Sequence, residues 1–189
     1  MTPELEKKLV ETYPKIFLYH GDKKSRYPIG WGITCGDGWY ELINRLCHLA
    51  QHHIDSTADQ RQYAEEHNKL VLDCRDGNFA GFDEKYKENL GKDYIVRMRE
   101  AMSNGTEKLR DVPDVIKQVH AVQIKEKFGG LRFYAEGGDE YISGAIQFAE
   151  LMSTVMCESC GDKGTVGTHG GTGWVYTACE KHNKRHLER

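Results

Sequence analysis

Four residues in the last third of the sequence have the types and spacing to hold a metal ion: Cys157 and Cys160, then Cys179 and His182. Each pair has two residues between its members, and a Gly-rich segment joins the pairs. Thiolate and imidazole ligands at this spacing suit tetrahedral Zn²⁺ in a treble-clef or ribbon-type site. Gly161, directly after Cys160, supplies the tight turn of a knuckle. Four protein ligands leave no open position, so the expected zinc is a structural staple and not a catalytic centre. His186 is the rival fourth ligand, at a less usual spacing from Cys179.

A second set of residues has the chemistry to hold an anion. Residues two apart on a strand share a face, which puts Lys125 and Lys127 together. Past Gly129-Gly130, Arg132 and Tyr134 can join them. Guanidinium and ammonium groups suit phosphate, and Tyr134 with Trp39 offers stacking surfaces for a base. The plainer alternative is a solvated outer sheet face. A one-residue slip in register would turn the lysines inward.

Two further patterns are weaker. His48 and His52 lie one helical turn apart and could share a metal, but Leu49-Ala50-Gln51 between them lacks the Glu of a zincin-like motif. Thr168-His169-Gly170-Gly171-Thr172-Gly173 is Gly-rich, yet no Lys-Ser/Thr follows it. It is expected to be the turn between the zinc ligand pairs, with Trp174 and Tyr176 packing as the module's small core. Neither Ser143-Gly144 nor Asp73-Cys74-Arg75 supplies a nucleophile beside a base, so a non-enzyme is expected.

The elements that must position these groups read as α+β: helices packed on a small antiparallel sheet or hairpin, with a C-terminal zinc-knuckle or ribbon element. Thr2-Pro3-Glu4 starts a helix with a hydroxyl cap, Leu5, Leu9 and Tyr13 share its face, and Pro14 stops it. Residues 15–36 read as a loop with short extended pieces such as Ile16 to Tyr19. Asp37 caps a helix to about Ile54, with Trp39, Leu42, Ile43, Leu46 and Ala50 inward. Residues 55–70 are polar and fit an exposed helix or a mobile insertion. Leu70-Val71-Leu72 is a short apolar run before the turn at Asp76-Gly77. A long helix over about 82–103 carries Phe82, Tyr86, Leu90, Tyr94, Met98 and Met102, with Gly91 its weak point and Asn104-Gly105 its end. Val115 to Phe128 is the main strand region. Gly129-Gly130 closes either a hairpin with Leu131–Tyr134 or a bulge in one strand. Asp139 caps a helix to about Met156, with Tyr141, Ile142, Ala145, Phe148, Ala149 and Met152 on one face. The expected organisation is an α+β domain over 1–156, with 55–115 a variable expansion, and a zinc module over 157–189 packed on it.

The totals exclude several classes. Charged residues are 29% of 189 and the net charge is −3, which disfavours bulk nucleic-acid binding. No long apolar run suggests a membrane span. Met1-Thr2-Pro3-Glu4-Leu5 lacks an apolar signal segment, so the cytoplasm is the expected location, with Cys35, Cys47 and Cys74 as free thiols.

Cys35-Gly36-Asp37-Gly38-Trp39, Lys125 to Phe133 and the ligand pairs with Gly173-Trp174 together resemble a group of small phage-encoded proteins of undefined activity. The resemblance covers residues near 30–54 and 120–182. It implies an accessory factor of the kind that blocks host defence. Combined with the residues above, the expected function is sequestration of a small nucleotide-type signal without catalysis, as a counter-defence sponge, helped if the chain forms a homo-oligomer. The alternatives are an inhibitor that binds a host defence protein and, lower, a zinc-ribbon module for nucleic acid.

Overall fold

The structure, a computed structural model, describes residues 1–87, 91–169 and 172–183. Mixed helices and small antiparallel sheets make it α+β. The chain divides into two compact units, Met1–Ile54 with Ile116–Arg189, and Asp55–Val115. Of the described residues, 157–169 and 172–183 thus belong with the first unit.

In the first unit, α1 is Pro3–Thr12, with Leu9 fully buried and Pro at its first turn. Thr2 stands at the cap position but its hydroxyl makes no capping bond. Its N–H donates instead to Asp37 Oδ1 at 2.6 Å. Residues 14–21 form turns and not the extended pieces expected, because Ile16 and Phe17 bury through consecutive turn positions. Asp37–Trp39 is a 3₁₀ turn that leads into α2, Tyr40–Arg75. Ile43, Leu46, Cys47, Ala50 and Ile54 bury at helical spacing.

A two-stranded antiparallel ribbon crosses this core. Strand β1 is His120–Lys127 and β2 is Gly130–Glu136. The strand region expected from Val115 starts only at His120, where β2 ends and the ladder has no further partner. A register irregularity between Ala121 and Gln123 lets both Ala121 and Ile124 face the core beside Leu131 and Phe133. Both outer edges of the ribbon are occupied. Thr34 N–H donates to Ile124 O at 3.0 Å and Glu126 N–H donates to Thr34 O at 3.0 Å. On the other side, Leu131 N–H donates to Ser153 Oγ at 2.8 Å and Phe133 N–H to Glu150 Oε1 at 2.9 Å.

Ser153 and Glu150 sit on α5, Glu140–Ser153. Asp139 caps it: Oδ1 accepts from Ile142 N–H at 3.0 Å, and Oδ2 lies 2.9 Å from His53 Nε2. Ile142, Ala149 and Ser153 are buried, whereas Tyr141 and Phe148, expected inward, are exposed. Burial acts to raise the Asp139 carboxyl, but the Ile142 N–H and the His53 ring outweigh it and hold it below the usual aspartate range. A depressed folded-state value means that the cap stabilises above the unfolded value and is lost as acid carries the pH through the folded one. Asp139→Ala is therefore expected to cost about 1 kcal/mol at neutral pH. Thermal melts across pH should show the gap from wild type closing in acid; a gap that stays constant into strong acid would contradict the assignment.

The second unit contains residues 55–75 of α2, then α3, Ala80–Lys85, and α4, Lys92–Ser103. The polar stretch 55–70 is helical throughout. Ala64, His67, Val71 and Cys74 face inward at alternating spacings of three and four, with Leu70, Phe82 and Met102 completing a small core. The helix expected over 82–103 is two helices with Gly91 at the start of the second. Leu90 lies outside the described residues. Asn104 and Gly105 (φ 83°) end α4 as expected. Arg61 Nη1 donates to Pro113 O at 2.7 Å, and Asn68 exchanges bonds with Arg110 backbone at 2.7 and 2.9 Å. No helix among the described residues is long and apolar enough to cross a membrane.

Candidate metal centre and ribbon face

Helix α5 ends at Ser153, short of the expected Met156, and three residues then lead into Cys157. The segment from Cys157 to Gly161 folds as a knuckle: Gly161 N–H donates to Cys157 O at 2.8 Å, and Gly161 takes φ 80°. Strands β3, Thr165–Thr168, and β4, Val175–Ala178, form an antiparallel hairpin. Cys179 follows β4 directly, and His182 lies on the short α6, Glu180–Asn183. The ligand atoms of Cys157, Cys160, Cys179 and His182 all lie within 4.8 Å of one another. Cys160 Sγ is 3.8 Å from Cys179 Sγ, and His182 Nδ1 is 3.4 and 3.2 Å from the Cys157 and Cys179 sulfurs. A tetrahedron with bonds of about 2.3 Å to sulfur and 2.0 Å to nitrogen has edges of about 3.8 and 3.5 Å. The four groups therefore fit a single metal ion. His186 lies outside the described residues.

Burial works against the Cys157 thiolate, but N–H groups of Cys179, Cys160 and Ser159 converge on its sulfur and bring it down to about 6. Cys35, Cys47 and Cys74 differ. Burial pushes Cys35 up to about 12 and raises the other two, so these thiols are protonated core residues.

The knuckle is gripped by Cys35–Trp39. Gly38 N–H donates to Glu158 O at 2.8 Å, Gly36 N–H to Glu158 Oε1 at 2.8 Å, and Trp39 Nε1 to Met156 O at 3.0 Å. A Cβ on Gly36 would meet Glu158 O at 2.3 Å, and one on Gly38 would meet Cys157 O at 2.2 Å. Both glycines stand where knuckle backbone fills the space of a side chain. Nothing in the sequence ties these two segments together; only the repeated Gly around Asp37 hinted at close backbone approach.

Of the residues expected to hold an anionic ligand, the ribbon brings three together. Lys125 lies directly across from Arg132, and its Nζ is 5.7 Å from the ring centroid of the exposed Tyr134. Arg132 is half-buried, with Nη1 at 3.9 Å from Glu150 Oε2. Lys127 is two residues along the same face, near the hairpin tip, with Nζ 5.3 Å from the Phe128 ring. Trp39 is not with them. It is fully buried in the core, so it offers no stacking surface, and its expected ligand role is corrected. Tyr176 packs beside the Cys/His cluster as expected, its hydroxyl donating to Asn183 Oδ1 at 2.5 Å, but Trp174 is 59% exposed. His48 and His52 stand on α2 with ring centroids 6.0 Å apart.

No family model, curated protein or solved structure matches this chain.

Proposed function

We propose that Cys157, Cys160, Cys179 and His182 hold a structural zinc ion, and that the ribbon beside this centre captures a small anionic, nucleotide-type ligand without turning it over. Three thiolates and one imidazole favour zinc over hard cations, and knuckle, hairpin and helix follow one another in treble-clef order. The observation that carries the ligand reading is the Lys125–Arg132 cross-strand pair, with Lys125 over the Tyr134 ring. Like charges directly opposite on an antiparallel pair destabilise it. Glu150 offsets part of this from the Arg132 side. An anion lying over both cations removes the rest, and Tyr134 gives a bound ring a face to stack on. For a phage-encoded protein, such capture is a counter-defence sponge.

Thermal-shift screening against cyclic dinucleotides, cyclic trinucleotides and ADP-ribose isomers is expected to give at least one stabilising ligand, recovered intact after heat denaturation. Lys125→Glu and Arg132→Glu should each abolish the shift while the zinc content stays unchanged. Chemically altered ligand would mean an enzyme, and no shift with any of them would remove the ligand reading.

A second reading, inhibition of a host protein by direct binding, is favoured by an apolar groove of about 580 Å³ between α2 and α5. Leu42, Leu46, Leu49, Tyr141, Ala145 and Phe148 line it. A stoichiometric host partner in a pull-down, lost in Phe148→Asp, would put this reading first.

A further inference from the structure

Phe128 is the one residue other than glycine, among the described residues, with its backbone in the left-handed region (φ 54°). It opens the two-residue turn that joins β1 to β2, and Gly129 follows at φ 75°. Positive φ at both central residues marks a type I′ turn, where Asn-Gly is the favoured pair. A phenylalanine here bears backbone strain. It gains nothing by burial either, since it is 72% exposed. Strain at an exposed aromatic is the kind of feature that function retains.

The turn is also held still. A Cβ on Gly129 would meet the Tyr176 backbone at 3.0 Å, Thr177 Oγ1 donates to Gly129 O at 2.5 Å, and Gly129 N–H donates to Glu126 Oε1 at 2.7 Å. Trp174, also exposed, shares a cleft with Phe128. The two rings, with Glu126, Lys127, Thr172 and Gly173, wall a cleft of about 300 Å³.

We propose that this cleft is the base subsite of the ribbon's ligand: one nucleobase stacks on Phe128 and Trp174, and its phosphates lie along Lys127, Lys125 and Arg132, which leaves the Tyr134 face for the second ring of a dinucleotide. The inference rests on the reading of the ribbon as a nucleotide-binding face. Lys125 and Lys127 are separated by about 7 Å along the strand, so cations continue from the cleft mouth down the ribbon. The cleft is at the small end of ligand pockets, which suits one base rather than two. The Glu126 carboxylate at its wall disfavours phosphate inside and directs it toward the lysines. Aromatic stacking tolerates any base, because every base has a π-face.

Calorimetric titration with ADP and with inorganic pyrophosphate separates base from phosphate. Stacking contributes roughly 5- to 150-fold in affinity per base, so wild type is expected to bind ADP at least fivefold more tightly than pyrophosphate. Phe128→Asn and Trp174→Ala should bring ADP affinity down to that of pyrophosphate and leave pyrophosphate binding unchanged. Phe128→Asn should also raise Tm, because Asn suits the turn, and this shows that lost affinity is not lost folding. Equal affinity of wild type for the two probes, or unchanged ADP binding by Phe128→Asn, overturns the subsite; the ribbon reading then still stands if Lys125→Glu abolishes pyrophosphate binding. No binding of either probe by wild type overturns both.

Discussion

Stripping the metal, or replacing Cys157 with Ser, is expected to lower Tm by roughly 10 °C or more, beyond the loosening of the last residues. The reason is the grip of Cys35–Trp39 on the knuckle. Without the ion, Cys157 and Cys160 are no longer tied to Cys179 and His182, and the knuckle backbone loses its fixed course. Gly38 N–H and the Trp39 indole then lose their acceptors on Glu158 and Met156. Each buried donor left without a partner costs about 1–3 kcal/mol, and two of them take a large part of a total of about 5–15 kcal/mol. Trp39 is fully buried in the central core, so the disturbance reaches the start of α2. Elemental analysis should find about one zinc per chain before stripping. A chelated, metal-free protein that melts at the same temperature as the loaded one would refute this coupling.

Gly38→Ala is the second large effect. The added Cβ would lie 2.2 Å from Cys157 O, 2.4 Å from Gly161 N and 2.6 Å from Cys160 N. All three are backbone atoms, so no side chain can swing aside. Overpacking a well-fitted site costs about 1–3 kcal/mol, and this one is expected at or above the top of that range. Because the knuckle must move, metal affinity should fall with it, since coupling between two sites is reciprocal. Gly144→Ala is the control. It lies inside α5 with nothing within 4 Å of its Cβ position, and should stabilise by about 0.5–1 kcal/mol through helix propensity. Equal melting of the two variants, with equal zinc, would mean that the close approach at Gly38 is relaxed in solution.

The clustering of Cys157, Cys160, Cys179 and His182 was legible because its signal is local. Two residues between partners and a glycine after the second sulfur are all that a knuckle needs. The face shared by Lys125, Arg132 and Tyr134 was legible too, since strand alternation needs only a register, and the register holds from Gln123 onward. Trp39 drew two readings, inward on its helix and stacking at the ribbon, because its type suits both, and its full burial bears out the first and corrects the second. The unbroken course of α2 through 55–70 was hidden for a related reason. Its inward positions there include Ala64 and His67, which carry little apolar signal, and His67 is buried beside Lys108 O at 3.3 Å and Glu107 at 3.4 Å. Tyr141 and Phe148 show the reverse error: apolar residues at helical spacing that stay in solvent. The hairpin turn fell one residue before the expected Gly-Gly, since pairing of Lys127 with Gly130 leaves Phe128 and Gly129 as the loop.

The covering of the ribbon's outer edges has a consequence for the life of the chain before it is complete. A bare strand edge is a template on which another molecule can build, and that is how aggregates begin. Here the edge of β2 is closed by hydroxyl and carboxylate oxygens of α5, a helix made after the strand it protects. On a translating ribosome, at about 5–20 residues per second, the stretch from Glu136 to Ser153 takes roughly one to three seconds to follow. For that interval the hairpin can exist while its edge is still open. Truncation within α5 makes the interval permanent, and such fragments should precipitate where the full chain does not.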